Sequence, residues 1–103
     1  METKVPYSLI DQLIRSSSSI GANIVEGKSS SSDKEFCRYY RIALKSANET
    51  KYWLRLITEG FSYPDKNKLN VLLTEAKELS NIIASIIIRI KNKNKIDFLA
   101  LAF

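Results

Sequence analysis

The chain has 103 residues, of which 45% are hydrophobic and 26% charged, and this length and composition fit one folded domain. It contains no histidine and one cysteine, Cys37, so histidine-based catalytic triads, Cys–His pairs and nearly all zinc sites are excluded. The formal net charge of +5 allows a nucleic-acid partner without requiring one.

We expect a cytoplasmic protein without catalytic activity. The segment before Tyr7 lacks the apolar core of a signal peptide, and the longest uncharged apolar stretch, 79–88, is about half of a membrane span. A lone thiol suits a reducing compartment. Because the sequence also lacks a glycine-rich phosphate loop, we expect no enzyme activity, cofactor, metal or small-molecule substrate.

The first predicted helix spans residues 8–26. Ser8 and Asp11 form an approximate capping box at its beginning. Its apolar residues fall within an arc of roughly 160°, which is the predicted core face. Ser17 and Gly21 lie on that face, so their small size predicts the close approach of another helix.

The junction between the first and second helices is the most informative part of the sequence. Gly27 suits the C′ position of a helix, where left-handed backbone favours glycine. Ser32 and Glu35 form an S-x-x-E capping box that begins the second helix. Asn23 and Glu26 share a helix face, and neither is favoured there by helix formation itself. We therefore expect contacts outside the local helix to favour both residues.

The second predicted helix, 33–59, carries two apolar stripes on different faces. A helix with two apolar faces touches more than one neighbour, and in a domain this small the second neighbour is predicted to be another subunit. Tryptophan is common at the centres of such interfaces. The predicted interface residues are Ile42, Trp53 and Leu56.

A third stripe of the same helix is basic and consists of Arg38, Arg41, Lys45, Tyr52 and Arg55. One interpretation is that the stripe is a solvated face without a partner. Another is that its cations bind RNA phosphates while Tyr52 stacks on a base. A third interpretation pairs Arg38 or Arg41 with Glu26 of the preceding helix, and we favour it for one of the two arginines.

The third predicted helix spans 66–93, after Gly60 ends the second helix and Asp65 caps the next. Its apolar residues alternate three and four apart, which is the pattern of left-handed bundle packing. The apolar tail 96–103 is predicted either to fold onto the bundle or to reach a neighbouring subunit, and the sequence favours neither. These elements predict an all-α helical bundle forming a single domain, 1–103.

The junction residues carry a resemblance to a known family. The run 19–27, S-I-G-A-N-I-V-E-G, resembles the S-I-P-A-N-I-A-E-G signature of four-helix-bundle proteins encoded in intervening sequences of bacterial 23S ribosomal RNA genes. Residues 32–46 resemble the family's S-D-K-E-F-x-R-x-x-R-I-A-L-x-S, and residues 7–15 resemble its Y-x-L-x-x-Q-x-x-R. Gly21 stands where the family usually has proline, and the family helix that precedes the Tyr7 position has no counterpart in this sequence.

The resemblance implies an up-and-down antiparallel helical bundle with three main helices in this chain, a cyclic homo-oligomer that is pentameric in known relatives, and a link to RNA. We therefore predict a non-enzymatic protein that self-assembles and binds RNA or an RNA-associated protein through its basic stripe. The alternative is a structural or protein-interaction oligomer without nucleic-acid binding. The family-motif positions are Asn23, Glu26, Gly27, Ser32 and Glu35.

Overall fold

The computed structural model describes residues 4–62 and 65–102, with the backbone alone described from residue 95 onward. Its three helices are α1, Tyr7–Lys28, α2, Asp33–Gly60, and α3, Lys66–Ala102. No strand occurs in the described ranges, so the all-α prediction is confirmed. The backbone of the predicted apolar tail continues α3 as helix through residue 102. The tail therefore does not turn back over its own bundle, and the predicted boundary at 93 is wrong.

Local side chains set the beginnings of α2 and α3. The Glu35 N–H donates to Ser32 Oγ at 3.1 Å, and the Lys68 N–H donates to Asp65 Oδ1 at 3.0 Å. The Glu35 carboxylate accepts from Ser31 Oγ at 3.4 Å and not from the Ser32 N–H, so only the Ser32 half of the predicted capping box is formed. Each cap satisfies an N–H group that has no partner within its helix.

The beginning of α1 differs from the prediction. Pro6 is the N-cap residue, and its carbonyl accepts from the Leu9 N–H at 3.0 Å without any side-chain cap. Asp11 instead forms an ion pair with Arg15, one helical turn later, at 2.9 Å. The predicted Ser8–Asp11 capping box is therefore wrong, because proline fixes the backbone angle that begins this helix one residue earlier.

The second helix lies at the centre of the fold. Both α1 and α3 pack along α2, whereas no Cα atom of α1 lies within 8 Å of α3 among the described residues. One apolar cluster surrounds Ala43 and Ala47, which are both 0% exposed, and a second surrounds Leu54 and Ile57. The three helices thus form an open bundle rather than a closed one.

Hydroxyl groups line the contact between α1 and α2. Ser46 Oγ donates to Ser19 Oγ at 2.9 Å, and Thr50 Oγ1 lies 2.9 Å from Ser16 Oγ and 2.8 Å from the Ser46 carbonyl oxygen. Ser16, Ser46 and Thr50 are buried. Short side chains let the two helices approach closely while the hydroxyls satisfy one another.

Candidate functional site

The basic face of α2 is the surface formed by Arg38, Arg41, Lys45, Tyr52 and Arg55. All five side chains are exposed, so the structure brings the predicted residues together on one side of the helix, opposite its buried side. At a rise of about 1.5 Å per residue the face extends for roughly 25 Å. This is long enough for several phosphates of a nucleic-acid strand.

The cations of the basic face have no carboxylate partner within the described part of the chain. The ion pairs found there join Arg15 to Asp11 and Lys68 to Asp65. The Arg38 guanidinium lies 5.9 Å from the centre of the Tyr39 ring. Tyr52 is 57% exposed and meets Trp53 edge-on, with ring centroids 4.9 Å apart. Four cations and an accessible aromatic ring are therefore presented to solvent together.

The residues predicted for a subunit interface lie at one margin of this face. Ile42 is exposed, whereas Trp53 and Leu56 are half-buried within the single chain. The Trp53 indole N–H donates to Glu49 Oε1 at 3.2 Å, which fixes its orientation on the helix surface. Their role between subunits stays a prediction.

A second candidate surface, which sequence reasoning missed, is a groove of about 510 Å³ between α1 and α3, hereafter the apolar groove. Its base is formed by Thr50 and Leu54 of α2. Ser17 and Gly21, predicted to contact another helix of the chain, are exposed and line one wall instead. The remaining lining residues are Leu13, Ile14, Ile20 and Ile24 of α1 and Leu72, Glu75, Ala76 and Leu79 of α3.

The sequence contains the apolar repeat that lines the groove. It was not recognised because the predicted core face of α1 was wide enough to include both this repeat and the buried one. Tyr7, Ile10 and Ile14 begin a three-and-four repeat that runs beside the buried repeat of α1. A single arc of apolar residues contains both repeats. Only the position of α2 shows which repeat is buried and which is left uncovered.

Neither a metal centre nor a membrane segment emerges from the described residues. They contain no group of three or more metal-binding side chains of the histidine, cysteine, aspartate and glutamate types. None of the described helices has the length and apolarity needed to cross a bilayer. Cys37, the one cysteine, is a buried free thiol.

Comparison with known proteins decides the family. The family model described as 23S rRNA-intervening sequence protein matches residues 1–85. This chain belongs to that family. A solved structure of a protein of unknown function from the S23 ribosomal protein family of Bacteroides thetaiotaomicron is 36% identical, with a TM-score of 0.64. The match covers 77% of this chain and 72% of that chain. No curated protein matches.

In this 23S rRNA-intervening sequence protein, the motif residues of α1 have roles that the sequence did not indicate. No glycine in the described residues has a positive φ, and Gly27 lies within α1, so the predicted left-handed C′ role is wrong. A Cβ atom at Gly27 would lie 2.8 Å from the Tyr40 ring, and this close approach is what requires glycine. The Asn23 amide donates to the Ser19 carbonyl at 2.8 Å and to Ser19 Oγ at 3.1 Å, which joins it to the hydroxyl contacts with α2.

Glu26 does not form the predicted ion pair. It is exposed, and it has no cation within ion-pair distance in the described ranges. Position 26 is turned about 100° around the helix from the buried Gly27, so Glu26 lies outside the contact with α2. Both arginines therefore remain part of the unneutralised basic face.

Proposed function

We propose that this protein is a non-catalytic, self-associating helical-bundle protein that binds RNA through the basic face of α2. The observation that supports the proposal is the set of Arg38, Arg41, Lys45 and Arg55, exposed on one helix face without carboxylate partners in the described chain. Cations arranged in this way release counterions when they contact phosphates, which drives binding to a polyanion. Tyr52, exposed in the same row, offers a ring on which an unpaired base can stack.

The shape of the face favours a single-stranded or irregular RNA over a sequence-specific duplex site. A helix face of cations and one tyrosine offers phosphate contacts and stacking, and few groups that read base edges. The expected binding is consequently strong at low salt, weak at high salt and tolerant of sequence. The ring of Tyr52 adds a preference for unpaired nucleotides.

A salt titration with charge-removing variants tests the proposal. The dissociation constant of a fluorescent single-stranded RNA is measured over a series of salt concentrations for the natural protein and for Arg41→Gln, Lys45→Gln and Arg55→Gln. Each lost phosphate contact should lower the magnitude of the log–log slope by about 0.7 and weaken binding at every salt concentration. Lys77→Gln, an exposed lysine of α3, removes the same charge away from the face and serves as the control.

Two results would contradict RNA binding at this face. One is the absence of any binding at low salt. The other is an equal change of slope in Lys77→Gln and Lys45→Gln, which would show that only net charge matters. A Tyr52→Leu variant separates the stacking contribution, since it should weaken binding to single strands without altering the salt slope.

The second candidate is a structural or protein-interaction oligomer without nucleic-acid binding. The apolar groove favours it, because exposed apolar surface that is concave and flanked by helices is suited to a protein partner. Self-association without any RNA binding would support this candidate over the first.

A further inference from the structure

The last part of α3 runs past the helix against which it packs. The last buried side chain described in α3 is Ile87, which lies in the same core cluster as Tyr40 of α2. Counting back from Tyr40, α2 begins about two turns earlier, at Asp33, which is level with about residue 94 of α3. The backbone of α3 stays helical through Ala102. Residues 95–102, hereafter the α3 extension, therefore project roughly 12 Å beyond the beginning of α2.

The α3 extension is rich in apolar residues. Residues 96–102 read I-D-F-L-A-L-A, so Asp97 is the one polar residue among them. A run of this composition is unusual where a helix projects into water. At about 1.5 Å per residue the run is roughly 10 Å long, about a third of the hydrocarbon core of a bilayer. Its length therefore suits entry into one leaflet rather than passage across both.

A group of cations, hereafter the α3 basic cluster, leads into the apolar run and consists of Arg89, Lys91, Lys93 and Lys95. The sequence has no carboxylate from residue 79 to residue 96. The side chains of Arg89, Lys91 and Lys93 are exposed and do not belong to the ion pairs of the described chain. Residues 26–38, which connect α1 to α2 at the same end of the bundle, carry three cations and three carboxylates. This end therefore bears a local excess of positive charge.

The dipole of α3 does not account for the α3 basic cluster. Cations stabilise a helix when they lie in its last turn, and the effect falls off beyond that turn. The last turn of α3 contains no basic residue, because the helix continues for about two turns after Lys95. Nothing in the helix itself therefore requires a group of cations at this point.

Cations followed directly by an apolar helical run match the layers of an anionic lipid surface. Lipid phosphates attract lysine and arginine, and the acyl chains lie immediately beneath them. An RNA partner would bind the cations but leave the apolar run in water. An apolar protein surface would cover the run but leave the cations without partners. A lipid surface provides for both parts, and the two signals together hold a protein at a membrane more firmly than either alone.

We propose that the end of α3, residues 89–102, binds peripherally to membranes that contain anionic lipids. The α3 basic cluster lies at the phosphate headgroups, and the apolar run enters the boundary between headgroups and acyl chains. This activity goes beyond the proposed RNA binding at the basic face of α2. It depends neither on that binding nor on the number of copies in an assembly.

Flotation with lipid vesicles tests the charge contribution. The natural chain should float with vesicles of phosphatidylcholine and phosphatidylglycerol, and should bind pure phosphatidylcholine vesicles at least about tenfold more weakly. Lys91→Gln and Lys93→Gln should each weaken binding to the anionic vesicles about fivefold. Lys77→Gln removes the same charge from an exposed position nearer the beginning of α3 and should leave binding nearly unchanged.

A matched pair of double variants tests the apolar contribution. Phe98→Ser combined with Leu101→Ser should weaken binding to the anionic vesicles about tenfold or more. Val71→Ser combined with Ile82→Ser removes two apolar side chains, each 57% exposed, from an earlier part of the same helix and should not weaken binding. Circular dichroism and urea unfolding check that both proteins keep the natural fold.

Tryptophan fluorescence distinguishes entry into the lipid from adsorption by charge alone. The emission of Phe98→Trp should shift to shorter wavelength when anionic vesicles are added, whereas that of Ile82→Trp should not. Trp53 is present in both variants, so the spectrum of the natural chain is subtracted from each.

Four results would overturn the proposal: no flotation with anionic vesicles, equal binding to neutral and anionic vesicles, equal losses in the tail variants and their controls, or an unshifted Phe98→Trp emission on bound vesicles. A greater loss of vesicle binding in Arg41→Gln than in Lys91→Gln would place lipid binding on the basic face of α2 and would also overturn it. So would a loss of RNA affinity in Lys91→Gln without a loss of vesicle binding. Because RNA and vesicles are titrated separately, failure of lipid binding and failure of RNA binding are distinguishable.

Discussion

Two glycines in α1 have opposite surroundings. A Cβ atom at Gly27 would lie 2.8 Å from two carbon atoms of the Tyr40 ring, whereas one at Gly21 would lie in open space. Tyr40 is buried and stacks on Phe36, with ring centroids 4.0 Å apart, so it has little freedom to move. Tertiary packing therefore requires glycine at position 27, whereas no contact within the described chain requires glycine at position 21.

Alanine substitutions at these two glycines should change stability in opposite directions. Gly27→Ala should destabilise the protein by about 1–2 kcal/mol, since overpacking outweighs the gain in helix propensity. Gly21→Ala should stabilise a single chain by about 0.5–1 kcal/mol, because only the propensity changes. Urea unfolding at low protein concentration measures both. A stabilising Gly27→Ala would show that the Tyr40 ring moves aside easily.

At the scale of the elements, the contact between α1 and α2 combines apolar packing with hydroxyl pairs. Ser16 and Thr50 are buried opposite one another, and Ser19 and Ser46 form a second pair near Asn23. Every described buried side-chain polar atom has a hydrogen-bond partner. These pairs fix the rotation of α1 about its axis, because turning the helix would leave buried hydroxyls unsatisfied.

A double-mutant cycle measures the Ser16–Thr50 pair. Thr50→Val should cost about 0.5–1.5 kcal/mol, because it keeps the shape of the side chain and removes its hydrogen bonds. Ser16→Ala should cost a similar amount, and the double variant should cost less than the sum of the two by about 0.5–1 kcal/mol. Strict additivity would show that the two hydroxyls act independently. Ser17→Ala, at an exposed serine, is the control.

At the scale of the whole molecule, α2 holds the fold together. Among the described residues the backbones of α1 and α3 both approach α2, whereas no Cα atom of α1 lies within 8 Å of α3, so each outer helix packs mainly against α2. One polar link from α2 to α3 is the Lys51 Nζ, which donates to Ser80 Oγ at 3.2 Å. Opening of either outer helix leaves the other contact intact, which predicts unequal stability along the chain.

Amide hydrogen exchange should reveal this order. The slowest exchange is expected in the middle of α2, around the fully buried Ala43 and Ala47, with faster exchange in α1 and α3. The measurement is made at low protein concentration and then repeated at high concentration. Uniform protection of all three helices at the lowest concentration would contradict a fold held together through α2.

Local chemistry allowed much of this structure to be predicted. Ser32 and Asp65 cap their helices and Gly60 ends α2 as expected, because a helix end depends on residues within one turn of it. The basic face of α2 was also predictable, since cations spaced at the helical period share a side wherever the helix lies. The family resemblance, likewise carried by short motifs, is confirmed.

What the sequence alone determined, then, is the number of helices, the beginnings of α2 and α3, the family and the composition of each helix face. Only the tertiary structure decided which part of the broad apolar arc of α1 is buried, why position 27 requires glycine and why Glu26 has no ion-pair partner among the described residues. Those outcomes depend on where α2 lies beside α1. A periodic pattern specifies that a face is apolar, but the neighbour that covers it is set by packing between distant parts of the chain.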